Sequence, residues 1–188
     1  CIRDSSPPLS PRRWTLCATD RCFKYKALVP FFQGAKVLPV QRGAGMVQPG
    51  MAAAEERLAA GDWVHVFPEG TRSPDGKMGA VRKGVGRLIA ACPVPPLVVP
   101  FVHSGMERVM PRGSPVPAVG KDVKVIVGQP VPVQDLMAAA DAGDWPEDRL
   151  YAAIAGRISA HMRALKHELD TGEHVEIVVF LEAVGDVD

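Results

Sequence analysis

The clearest pattern of apolar positions lies in the last third of the chain. Six apolar residues recur there at intervals of three or four and share one face of a helix: Leu150, Ile154, Ile158, Met162, Leu165 and Leu169. Asp144, followed three positions later by Glu147, is typical of a helix N-cap, and Gly172 suits a helix end. The pattern therefore predicts a helix between Asp144 and Gly172.

The preceding two thirds alternate between strand-like and helix-like segments. Strand patterns occupy residues 36–41, 63–67, 97–102 and 123–127, the third of them being a buried run interrupted by Pro100. Helical patterns occupy residues 51–60 and 82–91. Because strands separated by helices favour layered folds, we expect the α/β class, as a single layered domain with a mixed β-sheet flanked by helices.

The length of 188 residues suits one domain with a substantial core. Residues 1–12 are rich in serine and proline and are predicted to be an irregular start. The folded domain is expected over residues 13–170, followed by an acidic tail over residues 171–188. We find no internal repeat and predict no second domain.

Composition and charge narrow the class of protein. Hydrophobic residues make up 47% of the chain, which excludes disorder for most of it. The net charge is only +1, but residues 1–130 carry 18 basic and 9 acidic side chains, whereas residues 131–188 carry 4 and 12. An anionic ligand or surface is therefore expected to contact the first two thirds of the chain.

The spacing of the cysteines argues against a metal site, and the length of the apolar runs argues against a membrane-spanning helix. The four cysteines, Cys1, Cys17, Cys22 and Cys92, form no CxxC motif, so we predict reduced thiols and no metal site. The longest apolar run, residues 88–102, contains four prolines. A spanning helix needs about 20 apolar residues, so this run does not predict one.

The segment FPEGTRS at residues 67–73 carries the candidate chemistry. Gly70 has no Cβ, which allows the backbone to approach a ligand closely. Thr71, Arg72 and Ser73 supply hydroxyl and guanidinium donors, and these groups suit phosphate oxygens. The segment therefore favours an anion-binding loop.

Basic residues continue behind this loop, where the helix expected to begin near Lys83 would also present free N–H groups to an anion. They are Lys77, Arg82, Lys83 and Arg87. Glu69 would orient an arginine or accept a substrate hydroxyl. The same features also fit a loop with a capping glutamate followed by a solvated basic helix, and residue types alone leave both interpretations open.

FPEGTRS also resembles the third motif of the glycerophospholipid acyltransferase superfamily. Together with the residues before it, WVHVFPEG at 63–70 is similar to the form found in the tafazzin-like phospholipid/lysophospholipid acyltransferases. The residues TRS at 71–73 are similar to plant and algal members. Matching segments follow in the family's order at residues 13–23, 36–43, 63–70, 83–89 and 98–106. The resemblance covers roughly residues 13–130 and implies a glycerol-phosphate acyltransferase-like fold.

The resemblance implies an enzyme that moves acyl chains between phospholipids and lysophospholipids, including cardiolipin, without a cofactor or metal. In that family a His-x4-Asp motif activates the acceptor hydroxyl, with histidine as general base. None of the five histidines has an aspartate five positions later, so no catalytic residue is assigned. By family spacing the motif precedes residue 13 by about twenty positions, and we expect an acyltransferase domain without its catalytic segment.

Five residues matching the second and third motifs are implied to hold the glycerophosphate part of the lipid: Arg42, Glu69, Gly70, Thr71 and Arg72. The implied partners are phospholipids, lysophospholipids and a membrane surface bound peripherally, with no nucleic acid. The implied location is the mitochondrial membrane. Two alternatives stay open, namely a catalytically inactive lipid-binding relative and a soluble anion-binding α/β protein.

Overall fold

Three short parallel strands form the first sheet. The computed structural model describes residues 12–73, 75–111, 113–114 and 116–172. Strand β1 lies between its neighbours in the order β2-β1-β3, with Ala18 opposite Val40 and Thr15 opposite His65. The strands are β1 (Arg13–Ala18), β2 (Val37–Val40) and β3 (Trp63–His65). Their carboxyl ends consequently meet at one edge of the sheet.

Helices connect these strands. Helix α1 (Thr19–Cys22), a 3₁₀ helix (Lys26–Leu28) and helix α2 (Val29–Gly34) join β1 to β2, and helix α3 (Pro49–Ala59) joins β2 to β3. A Cβ on Gly50 of α3 would lie 1.9 Å from the Pro39 carbonyl oxygen, so the helix packs directly on the backbone of β2. The predicted helix at residues 51–60 is thus confirmed with a slightly earlier start.

The second sheet contains two antiparallel strands, β4 (Phe101–Ser104) and β5 (Lys124–Val127), with helix α5 (Met106–Val109) in the connection between them. The predicted α/β class is confirmed, and its parallel and antiparallel strands lie in separate sheets. The strand expected over residues 97–102 begins only at Phe101. Prolines lack the N–H that a ladder needs, and Leu97 and Val99 are exposed.

Three further helices complete the fold: α4 (Gly84–Ala90), α6 (Gln134–Gly143) and α7 (Glu147–Thr171). The predicted C-terminal helix is confirmed as α7, which ends with Gly172 in the left-handed conformation. Its predicted N-cap is wrong, because Asp144 has φ 50° and caps the end of α6, a helix that the sequence patterns did not indicate. The predicted acidic tail, residues 171–188, lies outside the described residues from 173 onward, and the predicted irregular start, residues 1–12, lies outside them up to residue 11.

The core consists of two hydrophobic clusters that meet at α4. Leu88 packs in one cluster with α3 and the parallel sheet, whereas Ile89 packs in the other with α6 and α7. Helix α4 also approaches α7 closely, since a Cβ on Gly86 would lie 2.2 Å from the Tyr151 carbonyl oxygen. No described helix is both long and apolar enough to cross a bilayer.

The prediction of reduced thiols is wrong for Cys17 and Cys22, which form a disulfide. Cys17 is near the end of β1 and Cys22 is at the end of α1, so the helical turn returns the chain toward the strand. The two Cα atoms are 6.3 Å apart, within the range that a disulfide spans. Cys92 is free and buried, and burial raises the pKa of its thiol.

Candidate functional site

The candidate site forms where the chain leaves the three parallel strands. In open α/β sheets, ligands bind in the crevice beyond the carboxyl ends of the strands. Asp20 follows β1, Arg42 follows β2, and residues 67–73 follow β3. Because β1 is the central strand, Arg42 and the 67–73 loop lie on either side of Asp20 and its helix. Two strand spacings of about 4.8 Å separate β2 from β3.

Arg42 is held by Asp20. Its guanidinium donates a hydrogen bond of 3.1 Å to the Asp20 carboxylate, and the side chains are 43% and 56% exposed. Arg21 lies 4.0 Å from the same carboxylate. A guanidinium carries five N–H donors, so Arg42 keeps capacity for an anion while Asp20 fixes its position. The sequence predicts no role for Asp20, because the apolar pattern does not predict the strand that it follows.

Glu69 connects the start of the loop after β3 to residues further along the chain through hydrogen bonds. Its carboxylate accepts a 2.6 Å hydrogen bond from the backbone N–H of Gly79, and its carbonyl accepts one of 3.0 Å from Arg82 Nε. The Arg82 N–H also donates to the Pro68 carbonyl at 2.9 Å. Glu69 therefore holds the loop through one carboxylate oxygen and its backbone carbonyl. Its second carboxylate oxygen can accept a hydrogen bond from a ligand hydroxyl.

Gly70 and Arg72 fix the course of this loop. Gly70 has φ 64°, and a Cβ there would lie 3.0 Å from Arg82 Nε, so a larger residue would be both strained and crowded. Arg72 donates a 2.9 Å hydrogen bond to the Met110 carbonyl just after α5, and Thr71 between them is exposed. The loop is thus tied to both the parallel-sheet unit and the α5 region.

The basic residues behind the loop are largely committed to acidic partners. Lys83 pairs with Asp148 at the start of α7, and Arg87 pairs with Glu55 of α3. The suggestion that the following helix presents an anion site at its start is not supported, since α4 has only seven residues and its preceding lysine joins it to α7. These cations bind the helices to one another.

Two histidines, His65 on β3 and His103 on β4, lie on the strands nearest to the loop in sequence. The His65 ring lies between those of Phe67 and Phe101, at centroid distances of 4.5 Å and 5.2 Å. Burial and, secondarily, the charge of Arg13 lower the pKa of His65. Its Nε2 is buried without a hydrogen-bond partner within the described ranges, while His103 is exposed. His65 is therefore a neutral packing residue between the two sheets.

The described residues contain no group of three or more His, Cys, Asp or Glu side chains that could hold a metal ion. The chemistry available at the strand ends consists of the guanidinium groups of Arg42 and Arg72, the hydroxyl of Thr71 and the carboxylates of Asp20 and Glu69. Such a set suits a ligand that carries both phosphate oxygens and free hydroxyls.

Comparisons with known proteins identify the family of the chain. The family model described as "Acyltransferase" matches residues 4–104. Tafazzin of Drosophila melanogaster is 35% identical over 84% of this chain and 42% of its own length. N-acylphosphatidylethanolamine synthase of Arabidopsis thaliana is 39% identical over 63% of this chain and 44% of its own. The chain thus spans about two fifths of the length of these relatives.

A solved structure matches the fold. The 1-acyl-sn-glycerophosphate acyltransferase PlsC of Thermotoga maritima aligns with a TM-score of 0.54 and 21% identity, over 84% of this chain and 57% of that one. At this identity the match concerns the fold. It supports the α/β arrangement on which the strand-end site is built.

Proposed function

The chain belongs to the acyltransferase family, and on that basis we propose that the protein transfers fatty acyl chains between phospholipids and lysophospholipids, including cardiolipin. The observation that supports the proposal is the set of guanidinium, hydroxyl and carboxylate groups in the segments that follow the parallel strands, with Arg42 after β2 and Arg72 in the loop after β3. A glycerophosphate group supplies the anion and the hydroxyl that such a site would bind.

In this reaction the free hydroxyl oxygen of the lysolipid attacks the ester carbonyl carbon of a donor phospholipid. The new ester C–O bond forms and the donor's ester C–O bond breaks, while the proton lost by the attacking hydroxyl balances the proton taken up by the departing glycerol oxygen. We assign Arg42 and Arg72 to the phosphate of the acceptor, and Thr71 and the second oxygen of Glu69 to its glycerol hydroxyls. Gly70 keeps the loop backbone in the conformation that presents these groups.

Arg72 provides the test of lysolipid binding. Replacement by alanine removes a charge-assisted contact worth about 1.5–3 kcal/mol. Part of the arginine's capacity is used on Met110, so we expect the lower end of this range. Affinity for lysocardiolipin or lysophosphatidic acid, measured by isothermal titration calorimetry, should fall roughly tenfold for Arg72→Ala. The affinity of Arg72→Lys should lie between those of the parent protein and Arg72→Ala, because lysine keeps the charge and loses the planar guanidinium.

Lys121→Ala is the matched control, since this exposed lysine before β5 carries the same charge as Arg72. Equal weakening by Lys121→Ala and Arg72→Ala would indicate a general charge effect and contradict the assigned site. Unchanged affinity in Arg72→Ala would do the same.

A surface next to the site is suited to a membrane. Tyr25, Leu28 and Phe31, in the connection between β1 and β2, are 61%, 46% and 68% exposed, and Lys24 and Lys26 lie among them. Apolar side chains flanked by lysines bind the interface of anionic bilayers. We therefore propose peripheral attachment through this aromatic–basic surface and, by family resemblance, a location at the mitochondrial membrane.

Phe31→Ala should reduce cosedimentation with cardiolipin-containing vesicles about tenfold, because full burial of a phenylalanine is worth about 1.5–3 kcal/mol. Binding should also weaken as salt rises. Val119→Ala is the control, since Val119 is 92% exposed in the loop before β5, away from the aromatic–basic surface in sequence. Equal sedimentation of Phe31→Ala and the parent protein would exclude this surface as the anchor.

A further inference from the structure

A cavity of about 480 Å³ lies beside the loop that carries Arg72. Residues 75–78 of that loop form one wall, the end of β4 and the start of α5 form a second, and the C-terminal half of α7 forms a third. Its volume is within the range of small-molecule sites, about 300–1,000 Å³. None of its residues belongs to the five implied by the family resemblance.

The charges around this cavity cancel. Three carboxylates and three cations line it: Asp75, Glu107, Asp170, Lys77, Arg163 and Lys166. A site for a simple anion or a simple cation would carry an excess of one sign. A balanced set instead complements a ligand that carries both signs.

Arg163 is the cation that is available to a ligand. Lys166 pairs with Asp170, and Lys77 lies 3.7 Å from Asp75. The guanidinium of Arg163 has only a weak 3.4 Å contact with Ser159, and within the described part of the chain no carboxylate lies in salt-bridge distance of it. A planar guanidinium in this situation is suited to bidentate binding of a phosphate.

The acidic side of the cavity is built by the loop itself. Hydrogen bonds from Ser73 Oγ and from the Lys77 N–H fix the Asp75 carboxylate and lower its pKa, so it is ionised at neutral pH. Gly76 lies against Glu107, since a Cβ there would be 3.5 Å from the Glu107 carboxyl group. The Asp75 and Glu107 carboxylates consequently face the cavity from adjacent elements. Glu107 also lies 3.7 Å from Arg108 and accepts a 3.1 Å hydrogen bond from the Gly105 N–H, and these contacts hold its carboxylate in place.

We propose that this cavity binds an ammonium-bearing phosphate ester, with Arg163 on the phosphate and Asp75 and Glu107 on the ammonium. A primary ammonium is favoured over a quaternary one, because the wall offers carboxylate acceptors rather than the aromatic faces that bind quaternary ammonium groups. This inference deepens the proposed function, on which it rests: the ligand would be the headgroup of a zwitterionic phospholipid substrate.

Soluble O-phosphoethanolamine is the probe for calorimetric titration of the 188-residue chain. It should bind more tightly than inorganic phosphate or phosphocholine. Arg163→Gln should weaken it about tenfold, and Asp75→Asn should remove its advantage over inorganic phosphate. Arg149→Gln, at the other end of α7, is the control and should match the parent protein.

Lysophosphatidylethanolamine distinguishes a lipid headgroup from a free phosphate ester. Tighter binding of the lysolipid than of O-phosphoethanolamine, with the same dependence on Arg163, supports the headgroup assignment, whereas equal binding assigns the site to a soluble ester. Failure of all probes to bind, or equal effects of Arg163→Gln and Arg149→Gln, would overturn the inference. Failure of the proposed function would appear separately, as lysocardiolipin binding that is insensitive to Arg72→Ala.

Discussion

Acyl exchange between phosphatidylcholine and monolysocardiolipin is expected to stay at background when the 188-residue chain is the only protein present. A hydroxyl is a poor nucleophile at neutral pH, and a positioned general base typically contributes about 10²–10⁴-fold. The His-x4-Asp pair that supplies this base in the family has no counterpart in the sequence. We therefore expect these 188 residues to bind the lysolipid, whereas acyl exchange by the protein needs a general base that they do not supply.

Neither histidine close to the loop is placed to substitute. The lowered pKa of His65 gives it the protonation state of a base, but its ring packs between Phe67 and Phe101 and its Nε2 is buried. His103 is exposed on β4, which belongs to the other sheet. A general base must come within hydrogen-bond reach of the proton that it removes.

The assay is transfer of a radiolabelled acyl chain, run on preparations that bind lysocardiolipin in calorimetry, so that an unfolded sample is not mistaken for an inactive one. Turnover well above the protein-free rate that disappears in His65→Ala or His103→Ala would assign the base to that histidine. Loss of that turnover in His65→Ala would also contradict the packing role inferred for His65.

Local pattern was sufficient to predict the helices that bury a continuous apolar stripe. The spacing of apolar residues in α7 identifies its face, and Ile154 and Ile158 on that face are buried in the core. Strand β1 had no comparable signal, because its sequence RWTLCA mixes polar and apolar residues and no residue in it is fully buried. It is a strand because β2 and β3 pair with it on both sides, and this depends on tertiary structure.

In the candidate site, too, local sequence predicts some features and tertiary structure determines the others. Consecutive residues such as Gly70, Thr71 and Arg72 are found together from sequence alone, whereas their distant partners are not. Met110 accepts from Arg72 across 38 positions, and Asp20 accepts from Arg42 across 22. Such pairs depend on how the strands are ordered, and no local spacing encodes that order.

Basic residues were the hardest to interpret, because their roles depend on partners elsewhere in the fold. Composition suggests that Arg157 and Arg163, in the acidic third of the chain, are both silent surface positions. Arg157 is instead buried, where it donates to the Asp135 carboxylate and to the Pro132 carbonyl. Its hydrogen bond is the main cause of the lowered pKa of Asp135. Arg163, six residues later, is exposed at the cavity.

Gly86→Ala is expected to lower the free energy of unfolding by about 3 kcal/mol, the upper part of the usual range for overpacking a core. The added Cβ would lie 2.2 Å from the Tyr151 carbonyl oxygen and 2.8 Å from its Cα, and both are backbone atoms that a rotamer change cannot move. Helix α4 would have to separate from α7, disturbing the contacts that Leu88 and Ile89 make in the two core clusters.

Gly84→Ala is the matched control in the same helix, since a Cβ there has nothing within 4 Å. Alanine favours helix over glycine by up to about 1 kcal/mol, so Gly84→Ala should be neutral or slightly stabilising. Urea denaturation followed by circular dichroism measures the free energy of unfolding of both variants. In a thermal melt, the melting temperature of Gly86→Ala should fall by about 6–12 °C. Equal stability of the two variants would mean that α4 and α7 do not pack at this distance.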